Sequence, residues 1–116
     1  MSELARKACV PCSGGVLPLR GNQIEALISQ VAGWSVIDEH HLSRTFKFPD
    51  FAQALNFVNR VGGIAEQEDH HPDIYLAWGK VRMDIWTHQI DGLAESDFIL
   101  AAKIDAIPLM APAPSR

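Results

Sequence analysis

The stretch Ile74-Tyr-Leu-Ala-Trp78, Gly79-Lys80, Val81-Arg-Met-Asp-Ile-Trp-Thr-His88 constrains the fold more than any other part of the chain. It reads as two strand-like runs joined by two residues, and a two-residue Gly-X link is a tight hairpin turn. With Gly79 and Lys80 in the turn, Trp78 faces Val81, Leu76 faces Met83 and Ile74 faces Ile85. All six are apolar and share one face, because side chains alternate along a strand. The other face carries Ala77 with Arg82, Tyr75 with Asp84 and Asp73 with Trp86. A hairpin with one apolar face needs a covering layer.

The rest of the chain supplies that layer. Leu42-Ser-Arg-Thr-Phe-Lys-Phe48 also alternates, and with Trp34–Ile37 and the polar turn Asp38-Glu-His-His41 it forms a second hairpin. Ile24, Leu27, Ile28 and Val31 repeat at helical spacing, so a helix is expected over about 22–32, capped by Asn22 with Glu25 three residues on. Asp50 caps a second helix with Gln53 at its third position. Its buried stripe is Phe51, Ala54, Leu55, Val58, Val61 and Ala65. That helix either frays at Gly62-Gly63 or carries on to 66–69 and presents Glu66 and Asp69 from its last turn. A final helix over about 95–107 is apolar nearly all round, interrupted only by Lys103 and Asp105. Such a helix on a small domain is covered on two sides, by its own sheet and by another subunit. The order α-ββ-α-ββ-α predicts an α+β, two-layer domain. It has a four-stranded antiparallel sheet with the helices packed on one face. The domain spans 21–107, between a Pro/Gly-rich arm (1–20) and a proline-punctuated tail (108–116) containing Pro108, Pro112 and Pro114.

Composition narrows the function. The chain has 116 residues, 47% of them hydrophobic, enough to build one core. Its net charge of -4 argues against nucleic acid as a partner, because phosphate binding wants a basic face. No apolar run approaches a membrane span and no signal-peptide core follows Met1, so a soluble cytoplasmic protein is expected. Cys9-Val-Pro-Cys12 has the spacing of half a zinc ribbon or of a redox dithiol, but no second cysteine pair completes a zinc site. The reading preferred is two reduced thiols in a mobile arm.

The chemistry gathers at Glu66-Gln-Glu-Asp-His-His-Pro-Asp73. Imidazole both gives and takes protons near neutral pH. Extending the hairpin register brings His71 opposite His88, with Pro72 able to break the ladder at that end. His70 then points the other way or belongs to the corner between helix and strand. The expected cluster is His70, His71 and His88, with Glu66 and Asp69 on the incoming chain and Trp86 close by. It can hold one protonated and one neutral imidazole together, as a general acid and a general base require. A metal site is the rival, since three imidazoles and a carboxylate can bind Zn or Fe. However, no helical His-x-x-x-His or His-x-x-Glu spacing is present. Trp78 and Trp86 read as packing residues, with Trp86 also able to stack on a flat ligand. The doublet His40-His41 reads as a plain turn and is assigned no function.

In order and spacing, Glu66, His70, His71, Pro72, Trp78, His88 and Asp97 resemble the pterin-4a-carbinolamine dehydratase family. Trp34, Phe46-Lys-Phe48, Asp50-Phe51, Phe57-Val58, Thr87-His88, Gly92-Leu93 and Asp97-Phe98 fit the same pattern over about 20–106. One departure is Ala94, where relatives often carry Thr or Ser as a helix cap. Loss of such a cap costs about 1 kcal/mol.

The resemblance implies helices on one side of a four-stranded sheet and a homodimer or homotetramer, which suits the apolar final helix. It implies loss of water from 4a-hydroxytetrahydropterin to give quinonoid dihydropterin, in the recycling of a tetrahydrobiopterin-type cofactor, with no metal or organic cofactor. His70 and His88 would supply acid–base catalysis, and His71 would orient the pterin or share that role. Glu66 and Asp69 would tune the imidazoles or contact the ring, beside Trp86. Asp97, near a helix start, would orient a neighbour or cap the helix. Animal members of the family also serve as dimerisation cofactors of a homeodomain transcription factor. A protein-binding role carried by the final helix is therefore the second expectation.

Overall fold

The computed structural model describes residues 3–9 and 17–108. The elements are α1 (Gly21–Ile28), β1 (Ser35–Ile37), β2 (His41–Lys47), α2 (Phe51–Glu68), β3 (Asp73–Ala77), β4 (Lys80–Ile85) and α3 (Glu95–Asp105), with short 3-10 turns at Leu4–Arg6 and His88–Ile90. The strands lie in the order β1-β2-β4-β3 and every neighbouring pair is antiparallel. The fold is the expected α+β arrangement. Leu42, Phe46, Val81, Met83 and Ile85 of the sheet form one core with Phe57 and Val61 of α2 and Phe98, Leu100 and Ile104 of α3. Among the described residues no helix is long and apolar enough to cross a membrane.

The β3–β4 register corrects the expected one by two residues. Ala77 pairs with Lys80 and Asp73 with Asp84, so the turn residues are Trp78 and Gly79. Gly79 belongs in the turn because its carbonyl accepts the Phe48 N–H at 2.8 Å. A β-carbon there would stand 2.8 Å from the Phe48 carbonyl oxygen. Trp78 therefore sits at the hairpin tip, 67% exposed, and does not pack on the core. A slip of two leaves every side chain on its original face, which is why Val81, Met83 and Ile85 are still fully buried.

Smaller differences have local causes. Helix α1 ends at Ile28 and is followed by tight bonds from Gln30, Val31 and Trp34 to carbonyls three residues back, which still bury Val31. Its start is closed by Gln23 Oε1 accepting the Arg20 N–H at 3.1 Å, so Asn22 is not the cap. In the β1–β2 turn Asp38 and Glu39 both take positive φ, near 55°, and His41 is already the first residue of β2. Asp50 caps α2 as expected, accepting the Gln53 N–H at 2.9 Å. The helix runs through Gly62-Gly63, with Ala54, Phe57, Val61 and Ala65 as its buried line. Phe51 and Leu55, expected inside, are exposed.

The cover on α3 is the largest correction. Phe98, Ile99, Leu100, Ala101, Ala102 and Ile104 are all buried within a single chain. Within the chain the second layer is the Leu4–Arg6 turn, which packs on α3 and places Leu4 and Ala5 in the core. The apolar surface of this helix is thus covered within the chain itself. The two charges that interrupt the helix both find partners. Asp105 accepts from Trp34 Nε1 at 2.9 Å and Arg44 Nη1 at 2.8 Å, and Lys103 donates to the Ala5 carbonyl at 2.8 Å.

Cys9, expected in a mobile arm, is half-buried. Its N–H donates to Glu68 Oε1 at 2.9 Å and its thiol to the Ser96 carbonyl at 3.5 Å. Burial, reinforced by the Glu68 carboxylate, pushes the thiol up to about 12. Cys12 and the tail prolines Pro112 and Pro114 lie outside the described residues.

Two outcomes follow from the ordered arm. Leu4→Ala should cost about 2–5 kcal/mol in denaturant unfolding, the cost of emptying a core leucine site. A change under about 0.5 kcal/mol would return Leu4 to a mobile arm. In native Cys12→Ser protein at pH 8, iodoacetamide should modify Cys9 at least roughly a hundredfold more slowly than in denatured chains, because a thiol held this high stays protonated. Equal rates would refute its placement.

Candidate active site

Helix α2 ends in a way that separates the two adjacent histidines. Asp69 adopts the left-handed conformation at φ 54°, which aspartate tolerates better than most residues. The His70 N–H then reaches back to the Ala65 carbonyl at 3.2 Å and the Asp69 N–H to Glu66 at 3.4 Å. This paired closure satisfies the last carbonyls of the helix. It sends His70 and His71 toward different carboxylates.

His70 Nε2 lies 2.6 Å from Asp97 Oδ1, with the Asp97 side chain fully buried and that of His70 16% exposed. The other Asp97 oxygen accepts from Thr87 Oγ1 and from the Ala94 N–H, both at 2.8 Å. Ala94 lacks a capping side chain, and Asp97 reaching back to its N–H closes the start of α3 from the inside. The helix dipole favours a negative charge at this position. An ionised carboxylate only accepts, so a hydrogen bond to such a group takes its hydrogen from His70 Nε2. Its Nδ1 is then the nitrogen left to exchange protons.

His71 pairs with Glu66, Nε2 to Oε2 at 2.6 Å, but both side chains are at least half exposed, at 51% and 80%. His88 opens the turn His88–Ile90 and stacks on Trp86, with ring centroids 4.4 Å apart. It is placed by a closed loop, not by strand pairing. Thr87 and Gly92 exchange backbone bonds at 2.8 and 3.4 Å, and Asp91 turns the corner at φ 50°. The observed β3–β4 register, extended past Asp73 and Asp84, sets Trp86 and not His88 across from His71.

Asp69, His70, His71, Trp86, His88 and Gln89 line a pocket of about 180 Å³. Five of the seven expected site residues meet there, while Glu66 and Asp97 stand behind it through His71 and His70. Gln89 and the orienting hydroxyl of Thr87 were not anticipated. Nor was the place of His40 and His41, whose rings lie 5.3 and 5.8 Å from that of Trp86. His40 contacts Asp91 Oδ1 at 2.8 Å and His41 Nδ1 at 3.0 Å. The available signal was the β2–β4 pairing, in which Leu42 opposite Ile85 sets His41 beside Trp86. Among the described residues no group of three or more His, Cys, Asp or Glu side chains is arranged to hold a metal ion.

Residues 17–107 match the family described as pterin 4 alpha carbinolamine dehydratase. The chain belongs to this family. A Rubrobacter xylanophilus protein bearing the family's name is 58% identical over 92% of this chain and all of its own length. One from Alkaliphilus metalliredigens is 53% identical over 90% of this chain and 96% of its own. Among solved structures, a transcriptional coactivator/pterin dehydratase from Brucella melitensis superposes with a TM-score of 0.73 at 32% identity. That match covers 78% of this chain and 97% of the Brucella chain. The dehydratase-family segment thus includes all three pocket histidines and Asp97, while residues 3–9 precede it.

Proposed function

We propose that this chain is a hydro-lyase that dehydrates 4a-hydroxytetrahydropterin to quinonoid dihydropterin, in the regeneration of a tetrahydropterin cofactor. The observation that carries the reading is one imidazole held by a buried carboxylate, beside a second imidazole stacked on an indole, in a small open pocket. Family membership supplies the substrate class, and Trp86 offers a wall for a flat ring.

The reaction breaks one C–O bond. A proton must reach the departing hydroxyl and another must leave a ring nitrogen. His70, beside the Asp97 carboxylate, is suited to carry the proton that the hydroxyl takes. His88, in no contact with a carboxylate among the described residues, is suited to accept the ring proton. Water leaves and the protein's proton count is unchanged, with the two histidines exchanging states before the next turnover. His71 and Asp69 orient the ring, and Glu66 steadies His71.

Single alanine variants test these roles on the carbinolamine generated by an aromatic hydroxylase. His70→Ala and His88→Ala should each lose roughly 10²–10⁴ in kcat, the usual contribution of general acid–base catalysis. His71→Ala should act mainly on KM. Wild-type rates in all three variants would refute the assignment. Asp97→Asn should keep the fold but depress kcat, because an amide turned toward His70 can donate and would move the imidazole proton to Nδ1. Unaltered kcat in a folded Asp97→Asn protein would show that the tautomer does not matter.

A protein-binding role through α3 draws no support from the geometry, since that helix is covered by the chain's own arm.

A further inference from the structure

Residues 3–9 lie outside the family segment, yet their contacts fall on both stretches that deliver the His70–Asp97 pair. On the His70 side, Glu68 sits two residues before the histidine. Its Oε1 accepts the Cys9 N–H at 2.9 Å, and its Oε2 lies 3.7 Å from Lys103 Nζ. Lys103 in turn donates to the Ala5 carbonyl at 2.8 Å, so Ala5, Lys103, Glu68 and Cys9 form a closed fastening. It is mostly buried, the Lys103 and Glu68 side chains being 18% and 13% exposed. On the Asp97 side, the Cys9 thiol donates to the carbonyl of Ser96 and Lys7 pairs with Glu95 at 2.9 Å. Leu4 and Ala5 are buried against α3 between these points.

We propose that residues 3–9, through Glu68 and Lys103, are a positioning strap for the His70–Asp97 pair, holding the end of α2 against the start of α3. This rests on the reading of that pair as acid–base machinery. The bond between His70 and Asp97 joins two helix ends that are far apart in sequence, so its 2.6 Å length depends on the two ends staying in register. A carboxylate–imidazole bond is stronger where water is kept out. A strap that closes over the α3 start protects both conditions, and a displacement of about 1 Å at a reacting group can cost on the order of a hundredfold in rate.

Removing only one charge of the fastening would leave its partner buried and unpaired, which destabilises whatever the role. The test is therefore the double variant Glu68→Gln, Lys103→Met in the full chain, with two readouts. One is the kcat against KM split. The other is the downfield proton NMR resonance of the His70 Nε2–H and its exchange with water relative to that of core amides, since general destabilisation speeds both kinds of exchange alike. Expected are a kcat lower by roughly tenfold to a hundredfold, a KM changed by no more than about twofold, and measurably faster exchange of the bridging proton. Lys103→Arg, which keeps the charge, should retain wild-type values of both. If the double variant does not fold, Glu68→Gln, Lys103→Gln, which also leaves no charge unpaired and keeps the acceptor for Cys9, takes its place. A folded variant with wild-type kcat and unaltered proton exchange would overturn the strap. If the wild-type protein does not dehydrate the carbinolamine, the functional reading falls and the proton exchange alone decides the strap.

Discussion

One buried carboxylate organises the site. The oxygens of Asp97 gather hydrogen bonds from three separate places: the hydroxyl of Thr87 just beyond β4, the first free N–H of α3, and the imidazole that follows α2. A carboxylate removed from water without such donors would be costly to keep ionised. Here each donor also fixes a piece of architecture. The Ala94 bond starts the helix, the Thr87 bond ties down the loop that carries His88, and the His70 bond locks the corner after α2. The ordering of the pocket thus runs through the single carboxylate group of Asp97.

What could be read in the chain beforehand was set by short-range periodicity. The alternating pattern of Val81, Met83 and Ile85 identified the buried face of the sheet, and that identification is insensitive to a slip of two residues. The register itself depended on a contact between Gly79 and Phe48, thirty-one positions away in sequence, which no local pattern encodes. His88 was placed in the cluster through a strand pairing that the structure does not contain. It reaches the pocket instead through the small loop closed by Thr87 and Gly92. The doublet His40-His41 was passed over because its neighbour Trp86 comes from a strand paired across the sheet, and only tertiary geometry brings the rings together.

The final helix shows a different limit. Its uniform apolarity correctly demanded cover on two sides, but apolarity does not say who provides the cover. Three residues near the N-terminus, Leu4–Arg6, in a segment that lacked any helical or strand period, supply that layer within the chain. Short 3-10 turns leave little periodic signature, so such packing is legible only through its buried side chains.

The two imidazole–carboxylate pairs of the pocket have the same length and opposite surroundings. His70 and Asp97 meet at 2.6 Å behind the protein surface, while His71 and Glu66 meet at 2.6 Å in open solvent. Mobile ions screen exposed charges over about 8–10 Å at physiological ionic strength and reach buried ones far less. Ionic strength therefore separates what distance does not. Added salt relaxes the hold of Glu66 on His71 and leaves the inner pair in place, so the pocket has one rim that responds to the medium and one wall that does not.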